Sequence, residues 1–140
     1  INQNRYSIFD RTIESNGLKD TAARLHKGII TFSPLAQGLL TDRYLHGIPA
    51  DSRVHTDGRF LKETDLTPEK LAKIRALNEM AAARGQTLAE MALAWLLSHE
   101  EITTVLIGAS KTQQILDNIK AVQNTSFTAE ELAEIDRISK

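Results

Sequence analysis

Apolar positions along this chain follow two alternating rhythms: short unbroken runs and stripes at helical spacing. The first run, residues 1–7, carries the β-forming Tyr6 just before Ile8 and predicts a strand. From Gly17 onward, Leu18, Thr21, Ala22 and Leu25 fall on one face at helical spacing, and Lys27-Gly28 supplies a basic last turn and a glycine stop. Ile29-Ile30-Thr31-Phe32 is a second β-rich run, of the kind buried on both faces of a parallel sheet. The opening third therefore reads strand, helix, strand, for which a right-handed crossover is the default.

Residues 35–66 lose the rhythm and contain three glycines and a proline, yet keep apolar anchors at Leu39, Leu40, Tyr44 and Phe60. Ordinary connections have about 4–6 residues, and much longer ones tend to be functional. This stretch is expected to be a binding loop. Helical signals then return. Thr67-Pro68 places a capping hydroxyl before a first-turn proline, Leu71, Ile74, Leu77 and Ala81 form a stripe, and Gly85 ends it. Thr87-Leu88-Ala89-Glu90 is a capping box leading into Met91, Leu93, Ala94, Trp95 and Leu97. Residues 103–107 form a third β run. Gly108-Ala109-Ser110 turns into a helix whose face carries Ile115, Ile119 and Val122, and Thr128-Ala129-Glu130-Glu131 caps a last helix with Leu132, Ile135 and Ile138. Strands alternating with helices predict an α/β fold with a parallel sheet. Three strands leave two open edges, which invite misassociation. With Ile1 standing where a Met would normally begin a chain, a segment of a longer protein is expected.

Composition narrows the function more than the fold. With 17 basic and 18 acidic side chains in 140 residues, the formal net charge is −1, so no broad electrostatic footprint for nucleic acid or an anionic membrane is present. No apolar run approaches the ~20 residues of a membrane helix. The chain has no cysteine, which removes disulfides, thiolate metal ligands and cysteine nucleophiles and accords with a cytoplasmic setting. His26, His46, His55 and His99 are scattered without ligand spacing, so no metal site is expected.

Two loops follow strands at their C-terminal ends, where α/β folds gather ligands. One is Ser33-Pro34-Leu35-Ala36-Gln37-Gly38-Leu39; the other is Gly108-Ala109-Ser110-Lys111. Glycine lets a phosphate approach the backbone, a helix N-terminus offers N–H donors, and Lys111 adds a full charge. Gln114, Asp117 and Asn118 share the following helical face and are suited to hydrogen-bond a base or ribose. Arg43, Arg53 and Arg59 lie in the long loop, where guanidinium groups can hold phosphate or carboxylate. Each of these features is, taken alone, more often a plain turn or a solvated face, so spacing leaves both readings open.

Taken together, Phe32-Ser33-Pro34-Leu35-Ala36-Gln37-Gly38-Leu39-Leu40-Thr41, Ile48-Pro49-Ala50-Asp51-Ser52-Arg53 and Leu106-Ile107-Gly108-Ala109-Ser110-Lys111 resemble the aldo-keto reductase superfamily. The similarity runs from Gln3-Asn4-Arg5-Tyr6-Ser7 to the last helix and is greatest to the branch of potassium-channel β subunits and bacterial glyceraldehyde-3-phosphate reductases. The resemblance implies the C-terminal part of a (β/α)8 TIM barrel, with all 140 residues belonging to one barrel domain and residues 34–66 forming a cofactor loop. It implies NADPH, with NADH open because Gln114 stands where many members have an arginine for the 2′-phosphate. By the same resemblance, Gln3 contacts the nicotinamide amide and Phe32 stacks on its ring. Ser33, Pro34, Leu35, Ala36 and Gly38 wrap the pyrophosphate with Arg43 and Arg53. Gly108, Ser110 and Lys111 hold the adenosine phosphate, with Gln114, Asp117 and Asn118 on the adenine side. The family's Asp, Tyr, Lys and His group lies on earlier strands, so no catalytic residue is assigned here, and Tyr6 and Tyr44 do not take that role. The expected activity is reduction of a small carbonyl substrate by the whole protein, a homo-oligomer being open. Two other classes stay open as well: a cofactor-sensing binding module like the channel subunits, and a truncated product without function.

Overall fold

A computed structural model describes residues 1–51 and 63–140. At its centre lies β2 (Ile29–Phe32), flanked on both sides by parallel neighbours, β1 (Asn2–Arg5) and β3 (Ile102–Val105). The register pairs Gln3 with Ile30 and Arg5 with Phe32, and on the other side Ile30 with Thr104. All three strands therefore end at one edge of the sheet, and the two candidate loops leave from that edge.

The first and third strands are shorter than the apolar runs suggest. Beyond Arg5, Ser7 pairs with Asp10 and its hydroxyl accepts from the backbone N–H groups of Phe9 and Asp10, which closes a turn. Two short helices follow, α1 (Thr12–Ser15), which has no clear periodic signature, and α2 (Leu18–Arg24). Gly28 is not the stop of α2. The helix ends with His26 in the left-handed region (φ 52°), with Lys27 N–H bonded to the Ala22 carbonyl and His26 N–H to that of Ala23. Leu25, expected on the buried face, is exposed. Gly28 instead serves a close approach. The ladder slips by one residue between Ile29 and Ile30, so Thr103 is extra, and a Cβ on Gly28 would lie 2.1 Å from its hydroxyl oxygen.

The helices after the long loop form where their caps and stripes place them. In α3 (Pro68–Ala83), α4 (Leu88–Leu97) and α6 (Ala129–Ser139), the hydroxyls of Thr67, Thr87 and Thr128 accept from Lys70, Glu90 and Glu131 N–H, each at 3.1 Å. Ile74, Leu77, Ala81, Leu88, Met91, Trp95, Leu96 and Ile135 pack with Tyr6, Ile8, Ile13 and Ile29 into one core. Arg84, at the end of α3, stacks over Phe127 and pairs with Glu131, fastening α6 to the bundle.

The helix after β3 departs from its pattern. α5 (Thr112–Asn118) gives way to a 3₁₀ turn over Ile119–Gln123, and Asn118 and Ala121 are buried while Ile115, Ile119 and Val122 face outward. A helix buries the stripe that meets a neighbour, and among the described residues nothing covers this one.

A polar node joins sheet and helices. The Tyr6 ring packs against Trp95 and its hydroxyl donates to Glu14; His99 Nε2 lies 3.4 Å from the same oxygen. His99 Nδ1 is 2.7 Å from the Trp95 carbonyl, which can only accept, so Nδ1 carries the proton. Arg11 lies over the Trp95 ring, 4.2 Å from its centroid, and bonds Glu14 and Asp136. Burial, reinforced by the nearby Lys19 charge, holds the His99 pKa below its usual value, against the bonding to backbone and the charge of Glu14.

Neutral His99 is thus favoured by folding, so its contribution is complete above the unfolded value of about 6.5 and is lost as pH falls through the folded value. The urea midpoint of the wild type is expected to fall more between pH 7.5 and 5.5 than that of His99→Gln; equal falls would remove His99 as the cause. At the bulge, Gly28→Ala is expected to cost about 1–3 kcal/mol. Most of that loss should disappear in a Thr103→Ala background, which a double-mutant cycle of denaturation measures.

Candidate cofactor site at the strand ends

Successive side chains of a strand leave opposite faces of the sheet. On β2, Ile29 and Thr31 are buried toward the helices, whereas Ile30 and Phe32 are half-buried on the other face. On β1, Tyr6 and Asn4 take the helix side, and Gln3 and Arg5 are exposed on the face of Phe32. The structure therefore brings Gln3 and Phe32 to one surface.

The loop after Phe32 is wound tightly by four left-handed residues, Ser33 (φ 53°), Ala36 (φ 49°), Gln37 (φ 62°) and Gly38 (φ 90°). Three of them are not glycine, a conformation uncommon enough to single out the loop. Pro34 is buried, while Ser33, Leu35, Ala36 and Gly38 are half-buried. Ala36 N–H bonds the Ser33 carbonyl, Gly38 and Leu40 N–H bond that of Leu35, and the Thr41 hydroxyl bonds that of Gly38 at 2.6 Å. Leu39, Leu40 and Tyr44 anchor the segment in the core.

The second loop, Gly108 to Lys111, is exposed, and a Cβ on Gly108 would meet nothing within 4 Å. Two of its backbone donors are already taken. The Gln114 amide oxygen accepts from Ser110 N–H at 2.8 Å, from Lys111 N–H at 3.2 Å and from the Ser110 hydroxyl at 3.3 Å. Asp117 is bonded by Gln113 and Lys120, which hold its carboxyl below the usual range, the Gln113 bond first. Asn118 turns into the interior. Of the three polar residues of that face, only Gln114 thus lies against the loop.

Asp51 joins the two loops, a role its place in the sequence does not suggest. One of its carboxylate oxygens is 2.8 Å from Arg43 Nη2 and the other 3.9 Å from Lys111 Nζ. Arg43 Nε is buried without a partner among the described residues. Two cations from segments distant in sequence therefore converge on a single anion, and that donor set fits a phosphate group. Arg53 and Arg59, and with them Phe60 and His55, lie outside the described residues.

Two hollows lie elsewhere. A cleft of about 350 Å³ lined by Arg11, Glu14, Lys19, Trp95 and His99 opens on the helix side of the sheet, away from Phe32. Another of about 380 Å³ lies beside Tyr44, Ile48, Leu66 and Leu71. Among the described residues no group of three metal-ligating side chains forms, and no helix is long and apolar enough to cross a membrane.

The family model described as "Aldo/keto reductase family" matches residues 1–140. The chain is 49% identical over 140 residues to the L-glyceraldehyde 3-phosphate reductase of Escherichia coli O157:H7, covering 98% of this chain and 40% of that protein. It is 35% identical over 124 residues to a probable voltage-gated potassium channel subunit beta of Oryza sativa subsp. japonica, covering 87% and 38%. Among solved structures, the glycerol dehydrogenase of Gluconobacter oxydans superposes with a TM-score of 0.77 at 27% identity, covering 97% of this chain and 41% of that one. An aldo-keto reductase from Bacillus halodurans gives 0.72 at 26% identity, covering 100% and 43%. The chain spans about 40% of the length of the curated relatives it matches. The three parallel strands and their helices are accordingly part of a (β/α)8 barrel. The chain belongs to the aldo/keto reductase family.

Proposed function

We propose that this chain is the cofactor-holding part of an NADPH-dependent aldo-keto reductase that reduces small aldehydes or ketones. The observation that carries the reading is the convergence at one sheet edge of Gln3, Phe32 and two loops whose cations, Arg43 and Lys111, share one carboxylate. The Escherichia coli relative, named for a reaction on an aldehyde phosphate, supports a small carbonyl compound as substrate.

A bound reduced nicotinamide supplies the hydride in such a reaction. The chain's own residues then bind and orient. The Gln3 carboxamide, with donor and acceptor on one rigid group, meets an amide, and the Phe32 ring offers a flat apolar surface that excludes water. The loop Ser33, Pro34, Leu35, Ala36 and Gly38, with Arg43 and Arg53, surrounds the pyrophosphate. Gly108, Ser110 and Lys111 take the adenosine phosphate, once the Gln114 amide leaves the Ser110 and Lys111 N–H groups. Gln114 stands on the adenine side, whereas Asp117 is held by Gln113 and Lys120 and the buried Asn118 supports the helix from within. With its acidity suppressed by burial and then by the bond its hydroxyl gives Glu14 on the helix side, Tyr6 is no proton donor for a carbonyl near Phe32.

The 140-residue chain alone is expected to show no aldehyde-dependent loss of NADPH absorbance, because the proton donor comes from other strands; turnover by the chain alone would refute that assignment. In the whole protein, Lys111→Ala is expected to weaken NADPH binding about tenfold, the scale of one charge-assisted bond, and NADH binding much less. Fluorescence titration with both nucleotides reads this, and equal losses would detach Lys111 from the adenosine phosphate.

A further inference from the structure

Arg5 has no place in the cofactor assignment, yet it shares the face of Gln3 and Phe32. It is the last residue of β1, in register with the last residue of β2, and its guanidinium lies 5.7 Å from the centroid of the Phe32 ring. That distance is near the outer limit of a cation–π contact, so the ring orients the group without holding it tightly. Arg5 is exposed, and among the described residues no carboxylate lies within ion-pair distance of it. Arg11, Arg43, Arg84 and Arg137 each hold an acidic partner. Arg24 and Arg75 have none among the described residues either, but they lie on helices, away from the strand ends.

We propose that Arg5 selects the substrate: its guanidinium, beside Phe32 at the mouth of the sheet, binds an oxyanion carried by the aldehyde. The inference rests on the reading that a nicotinamide lies against Phe32, which puts the reacting carbonyl at the same mouth. A guanidinium there presents a planar fork of donors matched to phosphate or carboxylate, and an uncharged aldehyde leaves it to water. Arg5 is a specificity residue and takes no part in hydride or proton transfer.

The experiment compares the whole protein with its Arg5→Gln and Arg5→Lys variants on glyceraldehyde 3-phosphate, unphosphorylated glyceraldehyde and a carboxylate-bearing aldehyde, succinic semialdehyde. NADPH binding is followed separately by fluorescence. Arg5→Gln is expected to raise KM for the phosphorylated aldehyde about tenfold or more, the scale of a lost charge-assisted pair, with kcat within about twofold. KM for glyceraldehyde and NADPH affinity should stay unchanged, and Arg5→Lys should recover part of the loss. A parallel loss on succinic semialdehyde identifies the oxyanion in general as the recognised group; a loss confined to the phosphate identifies phosphate. Equal losses on charged and uncharged aldehydes, or none on any, overturn the proposal and leave the reductase reading standing. A wild type that binds NADPH but reduces none of the three removes this substrate assignment, and one that does not bind NADPH removes the reductase reading with it.

Discussion

The parallel ladder through β2 sets Arg5 opposite Phe32 and Gln3 opposite Ile30, and the pleat then sends Gln3, Arg5 and Phe32 to the same face. A slip of one residue would reverse every side chain of β1, carrying Tyr6 out of the core and the polar residues into it. The register is fixed from the helix side. Tyr6 has to reach Trp95, and Ile29 and Thr31 have to be covered, so the apolar demand of one face determines what the other presents. The bulge at Thr103, matched by a glycine in the neighbouring segment, lets β3 follow the same edge.

The second organising feature is polar. Tyr6, the Arg11 and Glu14 pair at α1, His99 and Asp136 come from four separate segments and meet around the Trp95 ring. A buried group left without its partner costs far more than a satisfied one contributes, so such a node specifies one arrangement of the surrounding elements. Here it seats the turn after β1 against α4 and α6, and holds the end of β1 where the candidate site needs it.

Much of this was legible beforehand. The caps at Thr67, Thr87 and Thr128 are local hydrogen bonds within four residues, and the stripes of α3, α4 and α6 repeat often enough to define a face. The loops after Phe32 and Ile107 were legible because both follow apolar β runs. Other elements were not. α1 is one turn long and has no period to detect. His26 takes the left-handed position at the end of α2, where Gly28 was the expected stop, because that glycine is needed against Thr103. The Gln114 amide, expected to face a ligand, is drawn back to the N–H groups of its own helix start, a local bond that spacing does not announce.

The sequence by itself determined where the longer helices and the strands form, that the strands run parallel, and which two loops leave the strand ends, because those properties arise from caps, periods and turn residues a few positions apart. Only the tertiary structure decided which faces are covered. It leaves Ile115, Ile119 and Val122 outward, joins Arg43 to Lys111 through Asp51, and stands Arg5 beside Phe32. Each of these is a contact, or a missing one, between segments far apart in the chain. Its sign depends on register and packing, which no local pattern encodes.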